Sequence, residues 1–270
     1  FDGGKYALHA EGEIALVDID PDALDVIQKV VRKMLDAKGS SLKLSASTDR
    51  RDVLTDATAV VSTIGVGGRD AWVDDVLIPR KYGIYHPVGD SVMPAGISRS
   101  LRMIPAMVDI ANDVMALAPG AVFFNYANPM SAICRGVRKA TGANMIGLCH
   151  GVFDMAQQIA RLLGTEREKL CYTAVGINHF TWYTKVMLDG KDMMPRLREI
   201  AAEKLGQGIE KESLGQYFVE AGDSKEDEEL SLGWPLLWEL TRLFGAFPAP
   251  GDRHLTEFFP QMFSAEKGYY

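Results

Sequence analysis

Cysteine is scarce in this chain: Cys134, Cys149 and Cys171 are the only three among 270 residues. An odd number cannot all pair, and so few cannot staple a fold of this size. A disulfide scaffold is excluded, and a reduced, cytoplasmic setting is expected. Long apolar runs are missing as well. None approaches the ~20 residues that cross a bilayer, and no charged-then-apolar leader opens the sequence, so no membrane partner is expected. Basic residues are in deficit, with 29 Lys and Arg against 36 Asp and Glu, a net charge of −7 and a pI near 5.3. That balance lacks the basic face that nucleic acid or an anionic membrane requires. Internal repeats and low-complexity tracts are also absent. What remains, 47% hydrophobic and 24% charged, is a folded chain long enough for one large or two modest cores.

The hydrophobic pattern alternates between strand and helix periods. Residues 14–17 form a short apolar run ending at Asp18-Ile19-Asp20-Pro21, and Leu24, Ile27, Val31, Met34 and Leu35 follow at helical spacing with Gly39 as a stop. Leu42, Leu44 and Ala46 alternate like a strand, and residues 58–64 read as a strand buried on both faces. Helices are predicted over 70–82, over 97–117 (kinked or delayed by Pro105) and over 130–140, with strands over 121–125 and 144–148. This alternation specifies a parallel, doubly wound α/β sheet, a Rossmann-like domain over residues 1–168. Beyond it, longer strands over 170–175 and 180–188 flank a polar corner, Gly176-Ile177-Asn178-His179. Helices around 193–205 and 234–244 and a charged, solvated loop at 223–229 complete an α+β substrate domain over 169–270.

Four places carry candidate chemistry, each with a plainer alternative. Asp18 closes a strand, where an acidic residue takes a ribose hydroxyl in dinucleotide-binding sheets or merely caps a turn. The glycine-rich turn that should precede such a strand is not found, so the chain is expected to begin inside its first βαβ unit. Asn125-Tyr126-Ala127-Asn128-Pro129-Met130 follows a strand at the carboxyl edge of the sheet, where ligands bind, but Asn-Pro equally builds a turn and caps a helix. Cys149-His150 follows the next strand. With His179 thirty residues later it offers thiolate and imidazole to a divalent metal, or else Cys149 is a small buried hydrophobe. Finally, Gly251-Asp252-Arg253-His254 is either a grip for an anionic or hydroxyl-rich substrate or a surface turn.

Taken together these pieces resemble glycoside hydrolase family 4, the NAD-dependent glycosidases. The resemblance runs through Val17-Asp18-Ile19-Asp20, Ser62-Thr63-Ile64-Gly65-Val66-Gly67-Gly68, Val88-Gly89-Asp90 with Ala95-Gly96-Ile97, and Asn125 to Met130. It continues through Gly147-Leu148-Cys149-His150, Gly176-Ile177-Asn178-His179-Phe180 and Gly251 to Phe259. It implies a Rossmann domain followed by a catalytic domain, as in lactate and malate dehydrogenases, a homo-oligomer, NAD, and a divalent metal, usually Mn2+. By similarity Cys149 and His179 hold the metal, Asp18 and Thr63 meet the cofactor, and Asn128 touches both substrate and nicotinamide. His150 contacts the leaving-group side as the general acid. The implied route oxidises the sugar C3 hydroxyl, removes the acidified C2 proton and eliminates the glycosidic oxygen, an exception to the two-carboxylate mechanism.

The chain departs from the family pattern in places. It is short, and C-terminal helices of the second domain are expected to be missing. The tyrosine that acts as base in several members has no match in Arg242-Leu243-Phe244-Gly245-Ala246-Phe247, which leaves Tyr217 as a substitute candidate. Members that cleave 6-phosphorylated sugars carry an arginine where Gly65 stands, so the expected sugar substrate is an unphosphorylated α-hexoside or α-hexuronide. Gly151 leaves room beside it, and Arg253 offers a cation to a sugar carboxylate. Two alternatives stand beside this reading: an NAD-dependent 2-hydroxy-acid dehydrogenase on the same fold, and a shortened chain that binds ligands without turnover.

Overall fold

A computed structural model describes residues 12–206, 235–264 and 268–269. Its first half alternates strictly: β1 (Glu13–Val17), α1 (Pro21–Ala37), β2 (Lys43–Ser47), α2 (Arg51–Leu54), β3 (Ala59–Ser62), α3 (Gly68–Arg80), α4 (Met93–Leu117), β4 (Val122–Asn125), α5 (Met130–Thr141), β5 (Met145–Gly147) and α6 (Gly151–Leu162). The Asp20 carboxylate accepts from the N–H groups of Asp22 and Ala23 and so starts α1, with Pro21 in the first turn where its missing N–H costs nothing. Every ladder in this half is parallel: β1 pairs β2, and β4 lies between β3 and β5. The expected parallel α/β layer is present as a two-stranded and a three-stranded piece, with no ladder joining them among the described residues.

Helix bounds differ from the sequence pattern for a physical reason. α4 starts at Met93, four residues before the expected start at 97, because Pro94 is at home in a first turn. It also runs 25 residues through Pro105 rather than being delayed by it. Met103, Met107, Ala111, Phe123, Ile133, Val137 and Met145 from α4, β4, α5 and β5 form the first core. Full burial of such side chains contributes about 1.5–3 kcal/mol each.

The second half is antiparallel. β6 (Leu170–Ile177) pairs along the whole of β7 (Phe180–Leu188), whose other edge takes β8 (Lys191–Asp192) at one end and β9 (Phe247–Ala249) at the other. Helices α7 (Met194–Gly206), α8 (Pro235–Phe244) and α9 (Asp252–Phe258) and the short pair β10 (Phe263–Ser264) and β11 (Gly268–Tyr269) complete it. Tyr183, Leu197, Leu236, Leu237, Trp238, Leu240, Phe247 and Leu255 make the second core. α6 adds Met155, Ala156, Ile159 and Ala160 to that core, and the Tyr183 hydroxyl donates to the Val152 carbonyl. The packing therefore divides at the end of β5, ahead of residue 168. Tyr217 and the loop at 223–229 lie outside the described residues. No helix among the described residues is long and apolar enough to cross a membrane.

Candidate active site

Three chain segments converge beyond the carboxyl end of β5. The first is Cys149-His150, with His150 immediately ahead of α6. The second is the turn between β6 and β7. It is tighter than the expected polar corner, because β6 extends to Ile177 and pairs it with Phe180, leaving only Asn178 and His179 to turn the chain. His179 takes φ +63, a left-handed conformation uncommon outside glycine, and the turn carries its 7% exposed side chain inward. Gly176 permits this crossing, since a Cβ there would stand 2.2 Å from the Phe180 carbonyl oxygen. The third segment is α9, whose His254 ring centroid lies 3.7 Å from that of His179. Cys149, His150, Asp154, Gln158, His179 and His254 line a cleft of about 230 Å3.

Asp90, from the loop between α3 and α4, ties these groups together. Its Oδ1 lies 3.4 Å from His179 Nδ1 and 3.9 Å from His254 Nδ1, and its Oδ2 accepts from Asn128 Nδ2 at 2.8 Å. Ser91 Oγ donates to Asp90 Oδ1 at 2.8 Å and stands 2.6 Å from His179 Nδ1, which places the proton of that contact on the imidazole. Burial alone would push His179 down, but bonds to Asp90 and Cys149 outweigh it and raise the imidazole to about 9. Burial pushes Cys149 up, yet its bonds to His179 and to the Gly151 N–H bring it below the ordinary thiol value. Asp90 is held at about 2, burial being overcome by His179 and His254. His254 falls to about 4 through burial and the positive charge of His179. The second imidazole is neutral because the first is not.

A divalent ion fits this donor set. Asp90, His179 and His254 each offer a ligand atom, all within 4.8 Å of one another, and the Cys149 thiol beside them is depressed. Imidazole, carboxylate and thiolate together suit a borderline transition metal. On the cofactor side, Asp18 is exposed at the end of β1, with its Oδ1 accepting from Asp20 N at 2.9 Å, and Thr63 is exposed just past β3. The turn after β3 is a glycine requirement at Gly67, where φ is +86 and a Cβ would stand 2.6 Å from the Ala71 Cβ. Arg102 braces that turn, donating to the Val66 carbonyl at 3.4 Å while bound by both oxygens of Asp75 at 3.0 and 2.6 Å.

The structure thus brings together Cys149, His150 and His179, with Asn128 joined to them through Asp90. Arg253 is exposed and does not line the cleft, whereas its neighbour His254 turns in, as a helical rotation of about 100° per residue dictates. Sequence reasoning gave no role to Ser91, Asp154 or Gln158, and quoted Asp90 without one. Asp154 had a signal: it stands four residues after His150, and its Oδ2 lies 3.2 Å from His150 Nε2.

Residues 7–165 match the family profile described as Family 4 glycosyl hydrolase, and residues 174–269 match its C-terminal domain. An alpha-galactosidase of Rhizobium meliloti is 32% identical over 92% of this chain and 46% of its own length. An alpha-galacturonidase of Bacillus subtilis is 34% identical over 92% of this chain and 55% of its own. The chain spans about half the length of these curated relatives. The crystal structure of a 6-phospho-alpha-glucosidase from gut microorganisms in complex with NAD and Mn2+ superposes with a TM-score of 0.74. It covers 92% of this chain and 54% of that one at 18% identity, a likeness of fold.

Proposed function

The chain belongs to family 4 of the glycosyl hydrolases, and on that premise we propose that it hydrolyses unphosphorylated α-hexosides or α-hexuronides with NAD and a divalent metal, Mn2+ first. The observation that carries this reading is the convergence of Cys149, His150, His179 and His254 on one cleft at the carboxyl end of β5. NAD, when bound, would take a hydride from the sugar C3 and so acidify the C2 proton, with the metal as a positive charge beside it.

The chain's own groups have distinct tasks. Cys149 and His179 are the proposed metal ligands, with Asp90 and His254 in reach. Asn128 is fixed by the bond from its amide to Asp90 and by Arg99 Nε donating to its carbonyl at 3.0 Å, so a substrate and a nicotinamide would meet a rigid edge. Asp18 would take the ribose hydroxyls and Thr63 would flank the cofactor. His150, exposed in the cleft and oriented by Asp154, would protonate the leaving oxygen. The base that removes the C2 proton is not assigned; Tyr217 keeps its place as a candidate. A Cβ at Gly65 would meet nothing within 4 Å, so the turn has space for the phosphate-binding arginine of the phosphosugar enzymes but does not carry it. Arg253 at the rim would meet a sugar carboxylate. A cytoplasmic homo-oligomer is part of the same proposal.

Side-by-side assay of nitrophenyl α-glucoside, α-galactoside and α-glucuronide, digalacturonate and a 6-phosphoglucoside, with NAD and Mn2+ supplied, tests it. Turnover of an α-hexuronide ahead of the neutral sugars is expected, and the phosphorylated sugar should be poorest. Preference for the phosphosugar would overturn the reading.

A further inference from the structure

We propose that Glu257 is a positioning residue of this site: it bonds the backbone of residues 88 and 89 to α9 and thereby sets Asp90 against His179 and His254. The proposal rests on the reading of that cluster as the working site. α9 is only seven residues long and is anchored in the second core through Leu255. Residues 254 and 257 stand three apart, so they share one side of the helix. His254 enters the cleft, and Glu257 crosses to the loop that leads from α3 to α4.

There a single oxygen does two things. Glu257 Oε1 accepts from Val88 N at 2.9 Å and from Gly89 N at 2.5 Å, joining segments 169 and 168 residues apart. Two consecutive N–H groups converge on one anion only in a restricted backbone conformation. Gly89 supplies it at φ +69, and a Cβ there would stand 2.7 Å from Val76 Cγ2. Trp72 Nε1 holds the same segment from the α3 side, donating to the Val88 carbonyl at 2.7 Å. The next residue is Asp90. Its bond to Asn128 and its approaches to His179 and His254 all depend on where residue 89 leaves the chain.

The burial of Glu257 argues that this link is more than packing. The residue is 1% exposed, and a carboxylate so placed is costly unless bonded. His86, equally buried, stands behind it with Nδ1 3.6 Å from Oε1, while its Nε2 faces the Ala95 N–H at 3.5 Å. An apolar side chain would fill the space without that cost but would leave the Val88 and Gly89 donors unpaired. The charge is directed at the two amides that precede Asp90.

Spectra of the metal-free chain with 15N-labelled histidine test this, because the ring nitrogens of His179 and His254 report on Asp90 directly. Glu257→Ala is expected to move both ring signals and to weaken Mn2+ binding by about tenfold, the lower end for residues that hold a ligand in place. Glu257→Gln keeps an oxygen acceptor for both amides and should restore wild-type signals and affinity. Gly89→Ala displaces the same backbone without touching Glu257 and should move the same two rings, should Glu257→Ala fold poorly. Leu197→Ala, in the second core, should lower Tm yet leave the ring signals and Mn2+ binding unchanged. Unmoved His179 and His254 signals in folded Glu257→Ala, or equal movement in Leu197→Ala, would overturn the proposal. A wild-type chain that binds no Mn2+ would count against the function proposed above and not against this placement, which is read without metal.

Discussion

Among single residues, the chemistry of the cleft turns on which of two stacked imidazoles carries a proton. His179 keeps its proton to about 9 because Asp90 and Cys149 face it; His254 gives its proton up at about 4, being buried beside that same charge. The signs differ, and so do their effects on stability. Relative to the ordinary histidine value of 6.5, the contribution of His179 is fully present below 6.5 and is lost as pH rises through about 9. His254 resists protonation when folded, so the chain loses stability as pH falls from 6.5 toward about 4. Asp90 stabilises above its ordinary 3.8 and loses this as pH falls through about 2. The metal-free chain should therefore show its highest Tm between about pH 6 and 7, and His254→Asn should flatten the acid side. A Tm still climbing toward pH 9 under chelation would contradict the assignment. Cys149, His150 and His179 are legible in the sequence because each stands at a strand end or polar corner, where α/β folds present chemistry. Asp90 and Ser91 are not, because they sit in a loop between helices, and only the folded chain brings that loop to His179.

Elements account for the next layer of error and success. Strand and helix order was readable because apolar period changes cleanly from one segment to the next. The two-residue turn at Asn178-His179 was not, since nothing local distinguishes it from a looser corner; the pairing of Ile177 with Phe180 closes it. The turn Gly251 to His254 shows the same gap between composition and placement. Its acidic member grips no ligand in the structure. Asp252 is buried, and its two carboxylate oxygens accept from Leu236 N at 2.8 Å and Leu237 N at 2.9 Å, so it caps α8 from sixteen and fifteen residues away. An N-terminal cap of this kind is worth about 1–2 kcal/mol, and the negative charge also meets the positive end of the helix. Asp252→Ala should destabilise the chain by about that amount in urea denaturation, and Asp252→Asn, which keeps an acceptor, should recover about half. A variant as stable as the wild type would show that α8 starts without it.

Across the whole molecule, two cores meet at a site that neither completes alone. Cys149, His150 and Asn128 come from the ends of parallel strands, Asp90 from a loop between helices, and His179 and His254 from the antiparallel half. That division explains how a fold shared with dehydrogenases comes to serve a hydrolysis: the parallel layer presents the edge for a dinucleotide, and the second half lays donors for a metal across it. Net hydrolysis leaves no redox trace, so the role of NAD has to be sought in its removal and in the C–H bond that breaks. Stripping the dinucleotide should abolish turnover, and adding it back should restore it with no accumulation of reduced cofactor. A substrate deuterated at C2 should turn over more slowly wherever proton abstraction limits the rate, since elimination cannot proceed until that proton leaves. Cys149→Ser should lose chelator-sensitive turnover while keeping the wild-type Tm within a few degrees, the thiol being exposed rather than part of either core. Full turnover by the dinucleotide-free protein, with no isotope effect at C2, would leave the cleft working by acid–base chemistry at His150 and Asp154 alone.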